Sequence, residues 1–248
     1  NPCYLEAGIF YSHFKSLSMK LLLYLLVGLI IQPNTVEVEK PLQLYCSQLE
    51  VIDIVAKEGN NPSYVKKYII EYAPSAIQEQ ERYNIPASIK LAQGMLESSF
   101  GRSRASKNLN AHFCIKGKNK LSKRFFDKAE KSNDSYKGYK SAWWSFRDHS
   151  HLLTGNGEYS GNLTYSWIFE KKNLTWINYN ISIDNTNQWR KKKGLKKIPK
   201  IWEWSWDKLE NYEKVAHSIQ VSGYATDIKY ANKLIKIVKK YSLNELDT

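Results

Sequence analysis

The chain has 248 residues and is 42% hydrophobic, enough for one sizeable core with a tail. Its formal net charge of +13 suits any polyanion, whether nucleic acid, anionic lipid or the carboxylates and phosphates of a cell wall, and selects none of them. Three widely spaced cysteines (Cys3, Cys46, Cys114) imply neither a disulfide framework nor a CxxC site, and the five histidines show no HExxH pattern, so no metal and no cofactor is expected.

Residues 1–18 lack an initiator Met and precede Met19, so they are set aside as upstream translated sequence. Met19 and Lys20 open onto the apolar run 21–31, short for a membrane span but matching the apolar region of a secretory leader. Residues 19–40 are therefore expected to be a signal peptide or N-terminal anchor, 41–61 a spacer and 62–248 the catalytic domain. That predicts an exported protein, periplasmic, wall-associated or secreted, which meets a membrane only through an uncleaved leader.

Pro62 opens a helical pattern with Val65, Tyr68, Ile69, Tyr72 and Ala73 inward, and Pro74 predicts a restart that runs to Arg82. The next helix begins at Pro86, carries Ile85, Ile89, Ala92 and Leu96 as one core-facing stripe, and is expected to end at Gly101 as its C-cap. From 112 to 139 the pattern changes to short apolar pieces (113–115, 125–126 and 136–139) among Lys, Asn, Ser and Gly, which predicts a small β-hairpin lobe. A helix resumes over 142–153. An aromatic-rich stretch around 155–215 predicts mixed helices and loops, with Trp202, Trp204 and Trp206 as core packing. Its basic run 190–197 is either a solvated loop or a docking surface for anionic wall polymers. Thr226 or Asp227 then caps a closing helix with Ala231, Leu234, Ile235, Val238 and Tyr241 inward and lysines outward.

Glu97 lies off the apolar stripe in the last turn of its helix. There the negative end of the helix dipole and the apolar Leu96 and Phe100 both favour a protonated carboxyl, as a general acid for glycosidic cleavage requires. A single carboxylate is ordinarily a solvated surface group, and what outweighs that prior is the surrounding segment. IPASIKLAQGMLESSFGRS (85–103) resembles the catalytic helix of glycoside hydrolase family 73, the flagellar-type and autolysin-type endo-β-N-acetylglucosaminidases. Three further segments agree in order. NAHFCIK (110–116) is similar to the entry of the family's β-lobe, YKS (139–141) with SFRDH (145–149) to its exit, and GYATDIKYA (223–231) to its closing helix.

The resemblance implies an α+β, mostly helical, lysozyme-like fold in which a helical lobe and a small β-hairpin lobe flank a glycan-binding cleft. It implies peptidoglycan strands as the partner, cut between N-acetylglucosamine and N-acetylmuramic acid, with Glu97 in the place of the catalytic glutamate. A second acidic residue would come from the hairpin, where Glu130 is favoured, then Asp127, with Asp134 the third candidate. Carboxyls roughly 5 Å apart would suit a covalent nucleophile and roughly 6.5–9.5 Å a base acting on water, while a substrate-assisted route needs none. Phe100, Phe113, Tyr139 and Tyr224, with Asn110 and His112, fall in the matched segments and are the expected substrate contacts. Ala111 and Cys114 depart from the family pattern, standing where its members often carry Asn and Gly. Two other classes stay open: a muramidase or lytic transglycosylase on the same fold, and a catalytically silent wall-binding protein. Nucleic acid is not an expected partner, since the charge comes with no recognised helix-turn-helix or zinc module.

Overall fold

The computed structural model describes residues 46–59, 61–127, 132–170 and 172–247, with the backbone alone at 46, 124–127 and 132–134. The expected upstream stretch and leader, 1–40, lie outside the described residues. Among the described residues, no helix is long and apolar enough to cross a membrane.

The folded body begins earlier than residue 62. Helix α1 (Cys46–Lys57) occupies most of the expected spacer and buries Ile52, Val55 and Ala56 in the main core, so this stretch is a structural element. Helix α2 (Ser63–Tyr83) is continuous through Pro74, and no restart occurs there. An interior proline removes one helical hydrogen bond and costs about 3 kcal/mol. The carbonyl left without its donor is that of Ile70, which is 51% exposed, while Ala73, Ala76 and Ile77 around the proline are buried in one core. Packing on both sides of Pro74 therefore carries the helix across it.

Helix α3 (Ala87–Ser98) departs most from a one-sided stripe, because every residue from Ala87 to Met95 is buried, Lys90 and Gln93 included. Its N-terminal amides, which have no partner within the helix, are met from outside it. Gln80 Oε1 accepts from Ala87 N at 2.7 Å, and Asp247 accepts from Ser88 N at 2.8 Å and from Ser88 Oγ at 2.6 Å. Burial pushes the Asp247 carboxyl up to about 6. At the other end Ser99 takes the left-handed cap position, with Phe100 and Gly101 also left-handed, so the C-cap falls two residues before the expected Gly101.

Helix α4 (Arg104–Leu109) is capped by Ser103, whose hydroxyl accepts from Ser106 N. Strands β1 (Lys123–Asp127) and β2 (Ser132–Tyr136) pair antiparallel with Phe125 opposite Asp134, which supplies the expected hairpin. The expected strand piece at 113–115 is not one: Phe113 and Ile115 belong to the main core. Helix α5 (Ala142–Thr154) ends on left-handed Gly155 and joins α2 through a buried ion pair, Arg147 to Glu79 at 2.8 Å.

The aromatic-rich stretch makes helix α6 (Trp176–Lys192) and the single turn α7 (Glu203–Trp206), closed over a small core of Tyr179, Ile183, Ile198, Trp206 and Val221. Only Trp206 packs as expected, at 2% exposure, while Trp202 and Trp204 stand 69% and 64% exposed. One helical turn cannot turn three alternate side chains to the same side. Arg190, the first residue of the basic run, is buried and donates to the carbonyls of Lys196 and Thr226, whereas the lysines after it are exposed. Helix α8 (Asn211–Val221) opens with a reciprocal Glu210/Glu213 capping box. Helix α9 (Tyr230–Lys240) buries Tyr230, Ala231, Leu234 and Val238; Asp227 accepts from Lys229 N just before it.

Close approach, not turn geometry, explains the glycine inside α3. A Cβ at position 94 would sit 2.6 Å from Tyr68 Oη, whose hydroxyl is held in the core by His112 Nδ1 at 3.0 Å. Alanine is the better helix former by about 1 kcal/mol, yet Gly94→Ala is expected to destabilise the protein by about 1–3 kcal/mol, because a rigid buried ring must move. Urea unfolding of the two proteins measures the difference.

Candidate active site

Glu97 occupies the last turn of α3, half-buried between Leu96 and the left-handed turn. Burial pushes its carboxyl above the usual range, while the Tyr230 hydroxyl and the Lys233 ammonium pull it back toward ionisation. Tyr230 donates to Glu97 Oε1 at 3.0 Å and accepts from Gln93 Nε2 at 3.2 Å. A carboxyl held toward its protonated form, with one oxygen fixed by a phenol, can deliver a proton from a defined position. Tyr230 was not among the expected site residues. Its signal was available, since it lies four residues before Leu234 on the inward face of α9 and inside the matched segment 223–231.

Glu130 lies outside the described residues, and Asp127 and Asp134 are placed by backbone alone, at the end of β1 and within β2.

The expected sugar contacts divide in two. His112 and Phe113 are 2% and 3% exposed, and their rings face protein: His112 bonds Tyr68, and Phe113 stacks on His149 at 3.9 Å between centroids, nearly parallel. The segment 110–116 packs against α3 at Gly94, where Phe113 lies 3.5 Å from the place of an added Cβ. Asn110 acts as a tie, its Nδ2 donating to Tyr139 O at 3.0 Å while Tyr139 N donates to Leu109 O. Phe100, Tyr139 and Tyr224 are half-buried. Phe100 meets Tyr64 and Tyr241 edge-on; the Tyr139 hydroxyl donates to Asp148 Oδ2 at 2.6 Å; and the Tyr224 hydroxyl lies 2.9 Å from His149 Nε2. Asp148 also collects Lys137 Nζ and the Tyr159 hydroxyl, so one carboxylate joins the hairpin's exit to α5.

Lys137, Tyr159 and Asp148 account for one side of this joint, and Glu158 pairs with Lys137 from the surface. Among the described residues, no group of three His, Cys, Asp or Glu side chains is placed to hold a metal. His149 and His151 instead bond Tyr224 and Tyr83.

A family model described as glucosaminidase, mannosyl-glycoprotein endo-β-N-acetylglucosaminidase, matches residues 73–243, which takes in α3, the hairpin and α9. The chain belongs to the glucosaminidase family. That family is the one that the segments around Glu97 resemble, glycoside hydrolase family 73. It is 29% identical over 174 residues to the exo-glucosaminidase LytG of Bacillus subtilis (strain 168), a match covering 67% of this chain and 48% of that one. The chain thus spans about half the length of this curated relative. A solved N-acetylmuramoyl-L-alanine amidase from Staphylococcus aureus is similar in fold over 76% of this chain and 44% of that chain, at 23% identity and a TM-score of 0.51. The catalytic domain of the autolysin Auto from Listeria monocytogenes aligns over 82% of this chain and 99% of that one, at 21% identity and a TM-score of 0.49.

The departure at Cys114 from the family pattern has a physical meaning. Its φ is +49°, in the left-handed region that glycine enters freely and other residues enter at a cost of roughly 1–2 kcal/mol. Its Sγ lies 3.5 Å from the Glu97 carbonyl, so the strained residue sits against the last turn of α3. Cys114→Gly is expected to raise stability by about 0.5–1 kcal/mol, and Cys114→Val to lower it by at least as much, since branching at Cβ makes this conformation worse. Denaturant midpoints for the three proteins check both signs.

Proposed function

We propose that this glucosaminidase hydrolyses peptidoglycan at the β-1,4 bond between N-acetylglucosamine and N-acetylmuramic acid, with Glu97 as general acid. Family membership supports the reaction class. The single observation that supports the residue is Glu97 itself, a half-buried carboxyl at the end of α3, raised by burial and held at one oxygen by Tyr230. Its proton passes to the glycosidic oxygen as the bond breaks, and positive charge develops on the sugar ring. The complementary role falls to a hairpin carboxylate, Glu130 ahead of Asp127, or to the substrate's own acetamido group. Peptidoglycan lies outside the cytoplasmic membrane, so the reading places the enzyme's work there and agrees with a leader at 19–40. The exposed lysines of 191–197 would face anionic wall polymers.

The manner of cutting has two readings, because the family is described by an endo activity whereas the Bacillus subtilis relative is named an exo-glucosaminidase. Early products decide between them: long fragments at low conversion indicate endo cleavage, and small sugars from the outset indicate exo cleavage.

Glu97→Gln should fold and bind insoluble peptidoglycan yet release soluble fragments at least about a hundred-fold more slowly, the scale of general acid catalysis. Mass spectrometry of a wild-type digest should show reducing N-acetylglucosamine ends; anhydromuramic or reducing muramic ends would replace the proposal with a transglycosylase or muramidase. Wild type that binds wall but releases nothing would make it a silent binder. Because an acid works while protonated and burial raises Glu97, activity should persist above the ordinary glutamate pKa of about 4.3 and fall as pH rises through the shifted value. A pH profile of kcat/KM checks the sign.

A further inference from the structure

Gln93 lies one turn before Glu97 on α3 and is wholly buried. Residues four apart share a helix face, so the two side chains stand on the same side of α3. Both meet one atom. Gln93 Nε2 is 3.2 Å from Tyr230 Oη, and Tyr230 Oη is 3.0 Å from Glu97 Oε1. Direction follows from the groups available. An amide nitrogen brings hydrogens and accepts none, so at the first contact Gln93 donates and the phenol oxygen accepts. A phenol has one hydrogen, and with an N–H directed at its oxygen that hydrogen is left for the carboxyl. The reverse orientation of the amide would set Gln93 Oε1 against Tyr230 and draw the phenol hydrogen away from Glu97. As placed, Gln93 Oε1 is buried and, among the described residues, meets no donor. An unmet buried oxygen costs stability that methionine, similar in length and without that oxygen, would not. Packing therefore does not account for a glutamine here, and hydrogen bonding accounts for it only through Nε2.

We propose that Gln93 is a positioning residue for Glu97 and acts through Tyr230: its amide N–H fixes the phenol as a donor to Oε1 and leaves Oε2 to carry the transferable proton. The inference rests on Glu97 being the acid. Tyr230 is itself presented from a fixed backbone, because Gln220 on α8 spans the start of α9, its Oε1 accepting from Ala231 N at 3.0 Å and its Nε2 donating to Ile228 O at 2.6 Å. Among the described residues, the titratable and charged groups facing Glu97 are Tyr230 and Lys233 from α9, Tyr224 from the loop before it, and Cys114, whose Sγ lies 3.5 Å from the Glu97 carbonyl. Gln93 carries no charge at any pH, so it alters Glu97 only through what it does to Tyr230. Burial raises the Glu97 carboxyl and the Tyr230 hydroxyl lowers it, so a weaker phenol donor leaves the carboxyl protonated to higher pH.

The test is the pH profile of kcat and KM on soluble uncrosslinked glycan strands for Gln93→Met, Tyr230→Phe and the double variant. The alkaline limb is expected to move up by about half a pH unit or more in Tyr230→Phe, and by about 0.3 unit in Gln93→Met. In Gln93→Met the plateau kcat should fall roughly three- to ten-fold with KM unchanged, since a wholly buried side chain touches no substrate. With the phenol gone Gln93 has nothing to act through, so the double variant should match Tyr230→Phe in its limb. A limb that stays in place in Gln93→Met, or moves again in the double variant, overturns the proposal. NMR of wild-type protein labelled with nitrogen-15 at glutamine side chains decides the matter even where Gln93→Met fails to fold. The Gln93 amide signal, recognised by its contact with the Tyr230 ring, is expected to shift over the pH range of the alkaline limb and to stay constant there in Glu97→Gln. A wild-type signal that is flat over that range overturns the proposal. Glu97→Gln as active as wild type would overturn the reading beneath it, whereas an inactive Glu97→Gln with a flat wild-type Gln93 signal overturns this inference alone.

Discussion

A helix buried around its whole circumference has nowhere to send a polar side chain except to another protein group, and α3 is such a helix. Lys90, Gln93 and the amides of Ala87 and Ser88 would each cost on the order of 1–3 kcal/mol if left unpaired. Their partners come from parts of the chain far apart in sequence: Gln80 on α2, His149 on α5, Tyr230 on α9 and Asp247 near the end of the described residues. The rest of the body is arranged so that these groups arrive together. Glu97 inherits its setting from that arrangement, because the same α9 tyrosine that accepts from Gln93 donates to Glu97.

Where α3 ends, the backbone is forced into an uncommon shape. Ser99, Phe100 and Gly101 are all left-handed, and Cys114 opposite them is left-handed as well. Gly101 is also pressed against Tyr68, where an added Cβ would come within 3.3 Å of the ring. These residues bring 110–116 under α3 and let the chain leave toward the hairpin. The hairpin's exit is then fastened by Asp148, which accepts from Lys137, Tyr139 and Tyr159, and by Asn110 reaching the Tyr139 carbonyl. Polar joints of this kind give direction as well as attraction, so the hairpin is tied to the body at its base.

The stretch 155–215 adds a second small core. Trp206 and Tyr179 stack at 4.8 Å within it, and Arg190 is drawn inward to carbonyls of Lys196 and Thr226. Thr226 belongs to the segment that leads into α9, so this added region braces the loop that carries Tyr224 and leads to Tyr230. Two tryptophans at its surface, Trp202 and Trp204, stay exposed, and the Lys208 ammonium lies 5.2 Å from the Trp204 ring centroid.

Much of the fold was legible in the sequence wherever one face of an element repeats. The inward positions of α2 and α9, the hairpin, α5 and the place of Glu97 at a helix end all follow from periodicity, cap residues and matched segments. Pro74 misled because propensity is local, whereas the packing that carries α2 across it is not. Phe113 and His112 stand in matched segments with their rings turned into the protein, since a segment match does not say which way a ring turns. Tyr230 and Lys90 lie within the matched segments, and nothing in their local spacing marks the groups they meet. The sequence by itself determined the family, the helix and the carboxyl at its end, because those depend on order along one chain segment. Which group holds that carboxyl was decided only by tertiary structure, because the Tyr230 hydrogen bond joins side chains 133 positions apart and no local pattern encodes such a meeting.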